Sequence, residues 1–339
     1  MRLLGILLFS ATITTALGKP EGLFWFLRTN HTTAEALRKS ISENTLPSDQ
    51  FEQKIDSLIA QNTVTELAKF DGALEDQKKV SHEKSTGEIE IKEIEEVIPM
   101  GIRLDVAANI SIKGPLIDLA YQASIQEKDK RLQWNKYEAT SAATFIGNRW
   151  HCIHYWRRAD EVTLLLTRLS SIPEAEGITS SNVSTLHLNY ELLSVSPADL
   201  AKFGKSTPAT RSKAIIWLRG QAEVLDETRI TCRSGEKGTH MHSLDVLTED
   251  NDLWDTWNLG STVSIETNIA ASGLTANLVL EASWQDPKKS QPEPDYRFEV
   301  RKELKTGVTE LIHPSSKPAK TDSEIIILIT PEIIKAESK

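Results

Sequence analysis

Apolar and polar residues alternate with unusual regularity over two stretches of the chain. Leu104, Val106, Ala108, Ile110 and Ile112 fall on one side of an extended strand, and Arg103, Asp105, Asn109 and Ser111 on the other, because successive side chains of a strand face opposite ways. A return strand places Ile117, Leu119, Tyr121, Ala123 and Ile125 on one face, and Gly114 supplies a turn residue that tolerates positive φ. The second stretch repeats this design with Val263, Ile265 and Ile269, Gly273 at the turn, and then Leu274, Ala276, Leu278, Leu280, Ala282 and Trp284. Elsewhere the period lengthens. Phe51, Ile55, Leu58 and Ile59 mark an amphipathic helix starting near Ser48, and a comparable helix is expected from Pro208. The unbroken apolar run Ile325 to Ile329 suits a strand covered on both faces. Glu88 to Glu96, with Ile89 and Ile91 between acids, predicts a partly alternating strand with a solvated acidic edge. The pattern is that of a β-dominated α+β protein built of antiparallel hairpins with short amphipathic helices.

The two hairpins are related. Residues 101 to 125 align without a gap to residues 260 to 284, with seven of 25 positions identical: Gly101/Gly260, Asn109/Asn268, Ile110/Ile269, Gly114/Gly273, Leu119/Leu278, Ala123/Ala282 and Ser124/Ser283. Average composition gives roughly one or two. The offset is 260 minus 101, or 159. Two further matches are collinear with it. Glu161 to Thr167 parallels Glu324 to Thr330 at 163, and Thr32-Thr-Ala-Glu35 parallels Ser196-Pro-Ala-Asp199 at 164. The latter two read as helix N-termini, each with a hydroxyl residue followed three positions later by a carboxylate, and Pro197 strengthens the second. Similar hairpins arise independently in β proteins, so the shared order of three matches carries the argument for duplication. It divides the chain into halves at 19–169 and 185–339, joined by a Ser-, Pro- and Gly-containing linker at 170–184.

Residues 1–18 have a different character. Met1-Arg2, an apolar run from Leu3 to Phe9 and the small-residue end Ala16-Leu17-Gly18 before Lys19 read as a signal peptide cleaved between Gly18 and Lys19. A first core strand or a membrane anchor is the alternative. No later stretch holds about 18 uninterrupted apolar residues, so membrane entry by the remaining chain would require strands in a closed barrel. The two cysteines, Cys152 and Cys232, could pair in an exported protein or stand as buried thiols. The net charge of -9, from 39 basic and 48 acidic residues in 339, argues against nucleic acid as a partner.

The second half resembles a known family. Leu186 to Gly204, LHLNYELLSVSPADLAKFG, looks like the opening strand and helix of the bacterial secretin domain of type II and type III secretion systems. Arg229 to Gly235 is similar to that family's strand and turn, and Gly260-Ser-Thr-Val-Ser-Ile265 to its next strand. The terminal Glu324 to Ile334, with Thr330-Pro331 at its centre, resembles the family's closing segment. The first half would be a more degenerate copy. The resemblance implies an exported periplasmic or outer-membrane protein that assembles with itself and with other envelope components. In its fullest form it implies a channel subunit. Between Arg301 and Ser323 the chain departs from the family, lacking its Gly-Gly-Leu and Pro/Leu/Gly-rich segment, so the resemblance carries the fold further than the pore. The second implied function is a periplasmic binding or scaffold protein without a pore.

Candidate chemistry is sparse. His151 and His154 form an HxxH and His240 and His242 an HxH, spacings found at metal sites. On a strand His151 and His154 would face opposite sides, so no metal or other cofactor is expected. No nucleophile elbow, zincin or phosphate-loop motif occurs, and an enzyme is not expected. Trp134, Trp150, Trp156, Trp254 and Trp257 read as core and hairpin packing rather than a membrane belt. Asn30, Asn109 and Asn182 begin N-x-[ST] triplets of no expected consequence in a bacterial-looking protein.

Overall fold

The computed structural model describes residues 21–91, 96–110, 116–130, 133–158, 160–170, 184–207, 210–246, 260–286, 296–313 and 323–335. The expected signal cleavage at Gly18 and Lys19, most of the linker, Gly114, Pro208, Asn182, Trp254 and Trp257 lie outside them. The elements run β1 (Glu21–Asn30), α1 (His31–Ser42), α2 (Ser48–Ala60), β2 (Val64–Ala73), β3 (Lys79–Ile91), β4 (Glu96–Ile110), β5 (Leu116–Lys130), β6 (Gln133–Ile146), β7 (Trp150–Arg158) and β8 (Glu161–Ser170). The same order of elements then recurs as β9 (Ser184–Val195), α3 (Pro197–Gly204), α4 (Arg211–Gln221), β10 (Glu223–Arg233), β11 (Lys237–Val246), β12 (Gly260–Ile269), β13 (Thr275–Gln285), β14 (Tyr296–Lys305), β15 (Glu310–Ile312) and β16 (Glu324–Lys335). The protein is α+β and β-dominated.

These strands form two eight-stranded sheets. Sheet A has the order β15-β16-β9-β10-β7-β8-β1-β2 and sheet B the order β14-β13-β12-β11-β6-β5-β4-β3. Each sheet is therefore one four-strand block written twice, side by side. The blocks join at β10 with β7 and at β11 with β6, both antiparallel.

The register preserves the repeat. Ten pairs of β4 with β5, from Gly101 opposite Gln126 to Ile110 opposite Ile117, recur 159 residues on, from Gly260 opposite Gln285 to Ile269 opposite Ala276. The ladder of β1 with β2 passes over Leu67, and that of β9 with β10 passes over Leu225, so both repeats carry a bulge at one site. Gly101 and Gly260 share a positive φ, 142° and 120°, and an added Cβ would lie 2.1 Å from the Lys84 carbonyl oxygen and 2.7 Å from that of His242. A one-residue difference then relates β3 to β11, since 242 minus 84 is 158.

Other offsets depart from the sequence reading. The cap of α1 is Asn30, whose side chain accepts from the Thr33 amide, not Thr32. Ser196 caps α3 as expected, with Pro197 in its first turn, which makes the offset 166 (196 minus 30). Phe26 lies opposite Leu165 and Leu192 opposite Ile327, so the terminal strands correspond at 162 (327 minus 165) rather than 163. The single residue matters because it exchanges the faces of a strand: at 162, Leu165 and Ile327 both point between the sheets.

Three layers result. Helices cover the outer face of sheet A, where Leu37, Phe51 and Ile55 pack on Trp25, Leu164 and Leu166 in the first repeat. In the second, Phe203, Ile215 and Leu218 pack on Ile326 and Leu328. The inner face of sheet A meets sheet B through Leu104, Val106, Leu119 and Tyr121 in one repeat and Val263, Ile265, Leu278 and Leu280 in the other. The run from Ile325 to Ile329 divides between the two layers, with 325, 327 and 329 inward and 326 and 328 under the helices. Burying such a side chain is worth about 1.5–3 kcal/mol. Leu274 departs from the expected core, being 62% exposed beside the turn at Gly273. Trp134, Trp150 and Trp156 are buried.

Candidate functional site: the seam between the repeats

The junction of the two blocks concentrates the polar chemistry of the described residues. On the helix side, a groove of about 580 Å³ is lined by His31, Glu35 and Arg38 of α1, Arg157 of β7, Asn189 and Glu191 of β9, Arg219 of α4 and Glu227 of β10. The helix places His31, Glu35 and Arg38 on one face by their i, i+4, i+7 spacing. Arg157 and Glu227 lie directly opposite each other across the seam, and the Arg157 guanidinium donates to Glu227 Oε2 at 3.0 Å while the Tyr155 hydroxyl donates to Oε1 at 2.9 Å. Arg38 donates to Glu35 at 2.5 Å and to Asn189 of the other repeat at 3.0 Å. Arg219 is bonded through two nitrogens to Glu191, whose pKa burial raises despite that partner.

Ligand atoms of His31, Glu35 and Glu227 lie within 4.8 Å of one another, a donor set suited to a divalent cation. Both carboxylates already hold a guanidinium. A cation here would displace or sit beside Arg38 and Arg157, so the arrangement is that of a neutralised ion-pair network fastening the two repeats.

A second chain of polar groups crosses the same seam between the sheets. His154 Nε2 meets His240 Nδ1 at 3.3 Å, Tyr121 Oη meets His154 Nδ1 at 3.4 Å, and Tyr121 donates to the Ile153 carbonyl at 2.8 Å. That donation fixes the protons. The Tyr121 oxygen can only accept from His154 Nδ1, so His154 Nε2 accepts from His240 Nδ1, and His240 Nε2 is left with a lone pair facing Asp226 Oδ2 at 3.8 Å. Burial pushes Asp226 up to about 7 and holds His154 down to about 3 and His240 well below its ordinary value. Burial thus disfavours the charged form of all three groups, so His240 and Asp226 face each other without the strength of a solvent-exposed ion pair.

The HxxH and HxH are accordingly split. His154 and His240 meet each other; His151 instead bonds the Ile146 carbonyl at 2.8 Å, and His242 stacks on Tyr137 with ring centroids 4.5 Å apart. Cys152 and Cys232 are free and buried, and burial raises both thiols, Cys232 to about 12. Of the repeat positions, Asn109 and Asn268 are exposed, opposite Asp118 and Asn277. Thr330 lines the groove and meets Thr309 at 2.8 Å, and the Pro331 carbonyl accepts from Gly307 N at 2.7 Å. Asp226, Glu227, Arg157 and Arg38 carry no sequence signal of their own, and for Tyr121 the alternation gives the buried face but not its partners. Only the sheet order brings them together.

The outer face of sheet B is also polar. A hollow of about 420 Å³ there is bordered by Arg103, Asp105, Gln122, Lys136 and Glu138. Burial alone would raise Asp105, but Lys79, Ser81 and Arg103 hold it at about 2, so it is ionised.

Comparison with known proteins finds no family model, no curated protein and no solved structure that matches the chain.

Proposed function

We propose that this protein is a structural component of a bacterial cell envelope, secretin-like in architecture, that acts as a homomultimeric scaffold rather than as a catalyst. The observation that carries the reading is the pair of sheets, each extended by adding a second copy of one four-strand block and each ending in strands, β2, β3, β14 and β15, that lack a strand partner on one side among the described residues. A molecule that grows by block addition internally has the geometry to grow by it externally.

The polar outer face of sheet B favours the scaffold over the channel. A lipid-facing barrel wall alternates apolar side chains outward, whereas β4, β5, β12 and β14 direct Arg103, Gln122, Glu266 and Arg297 there. The mass of the soluble and detergent-extracted species tests both parts. We expect a large homomultimer released from envelopes by alkaline carbonate without detergent. A monodisperse monomer overturns the multimer, and strict dependence on detergent favours the channel.

A further inference from the structure

Resting on the multimer proposed above, we propose that copies join head to tail through their sheet edges, with β3 of one copy laid on β14 of the next in the register of the internal seam. The two halves of that seam have counterparts at the two ends of the molecule: β11 corresponds to β3, and β6 to β14. The second correspondence is fixed by register, since Tyr137 lies opposite Ile125 and Tyr296 opposite Trp284, both 159 residues on.

Transferring the observed seam to the ends gives definite pairs. Met241 opposite Glu138 and His242 opposite Tyr137 become Glu83 opposite Arg297 and Lys84 opposite Tyr296. The first brings opposite charges together, a favourable cross-strand pair, and the second sets an ammonium where His242 stacks in the seam. In sheet A, Arg229 opposite Tyr155 becomes Asp71 opposite His313. With 13 and 10 residues, β3 and β14 are long for edges, which proteins ordinarily keep short or blocked. Because the contacting edges differ, the contact is heterologous and propagates into a ring or filament instead of stopping at a dimer.

Oxidative cross-linking of the full chain carrying both Glu83→Cys and Arg297→Cys tests this, alongside each single substitution and a native mass measurement. Both positions are on the exposed face and leave the core intact. The expected result is a ladder of covalent multimers from the double variant and none from either single one. Dimers from Glu83→Cys alone would mean β3 on β3 and overturn the proposal. Multimers by mass with no ladder, including under a short bismaleimide that tolerates imperfect disulfide geometry, would overturn these edges while leaving the multimer standing. Monomers throughout would overturn both.

Discussion

At position 101 the backbone has room for hydrogen and nothing larger. A Cβ there would sit 2.1 Å from a carbonyl oxygen at a φ of 142° that L side chains avoid. Gly101→Ala is expected to cost roughly 1–3 kcal/mol or more, and Gly260→Ala, at 2.7 Å, somewhat less; urea unfolding of each measures it, and a neutral Gly101→Ala would refute the close approach. Both glycines are visible in the sequence because the repeat pairs them. The buried titrating groups are not, since a histidine in a strand looks the same whether it faces solvent or a sealed core. Their consequence is a pH dependence of two signs. His151 and His154, held at about 4 and about 3 by burial, with His187 and His240 also lowered, stay neutral when the unfolded chain takes up protons below about 6.5. Their contribution is complete above that pH and is lost as pH falls toward the folded values, at about 1.4 kcal/mol per pH unit per proton. Asp226 works oppositely. Its folded pKa of about 7 makes its contribution complete below the unfolded value and progressively lost as pH rises to 7. Stability measured at pH 4.5, 6 and 8 is expected to fall at the acid end, and Asp226→Asn to gain on the wild type at pH 8; no gain there would mean that burial does not penalise the Asp226 carboxylate.

Among the elements, β16 shows how much a continuous apolar run conveys. Ile326 and Leu328 face the helices and Ile325, Ile327 and Ile329 the other sheet, so Leu328→Ala is expected to cost about 2–5 kcal/mol by cavity formation. Ser196→Ala is expected to cost about 0.5–2 kcal/mol, because the Ser196 hydroxyl satisfies the Asp199 amide at the start of α3. Thermal unfolding of the two variants gives the ranking, and a larger loss for Ser196→Ala would reverse it. The hairpins, the helix near Ser48 and the doubly covered strand were legible because each rests on periodicity, which burial imposes directly. Offsets between repeats were less so. Asn30, Thr32 and Thr33 are all competent capping residues, and only the chain's exit from β1 selects Asn30; the shift of the terminal strand follows from that choice through the ladder with β8.

For the whole molecule the question is whether the seam makes two repeats behave as one. Stacked repeats have a stability approximated by intrinsic terms plus nearest-neighbour interfaces, so weakening the interface should separate their unfolding. His154 belongs to the first repeat and His240 to the second, and each is the other's hydrogen-bond partner at 3.3 Å with both rings buried away from water. Removing one strands a buried polar atom, at about 1–3 kcal/mol, whereas replacing both with apolar groups of similar size removes the debt as well as the bond. His154→Leu and His240→Leu are each expected to destabilise by that amount, and the double variant by less than their sum, so that the cycle returns a coupling energy for the seam itself. Glu227→Gln provides the contrast, since it acts on the partly exposed network where Arg157 and Tyr155 converge. Hydrogen exchange should then show β7 and β10 losing protection while β1 and β9 keep theirs. Additive losses at the two histidines, together with uniform loss of protection, would mean that the repeats are coupled through the continuous sheet backbone and not through these side chains.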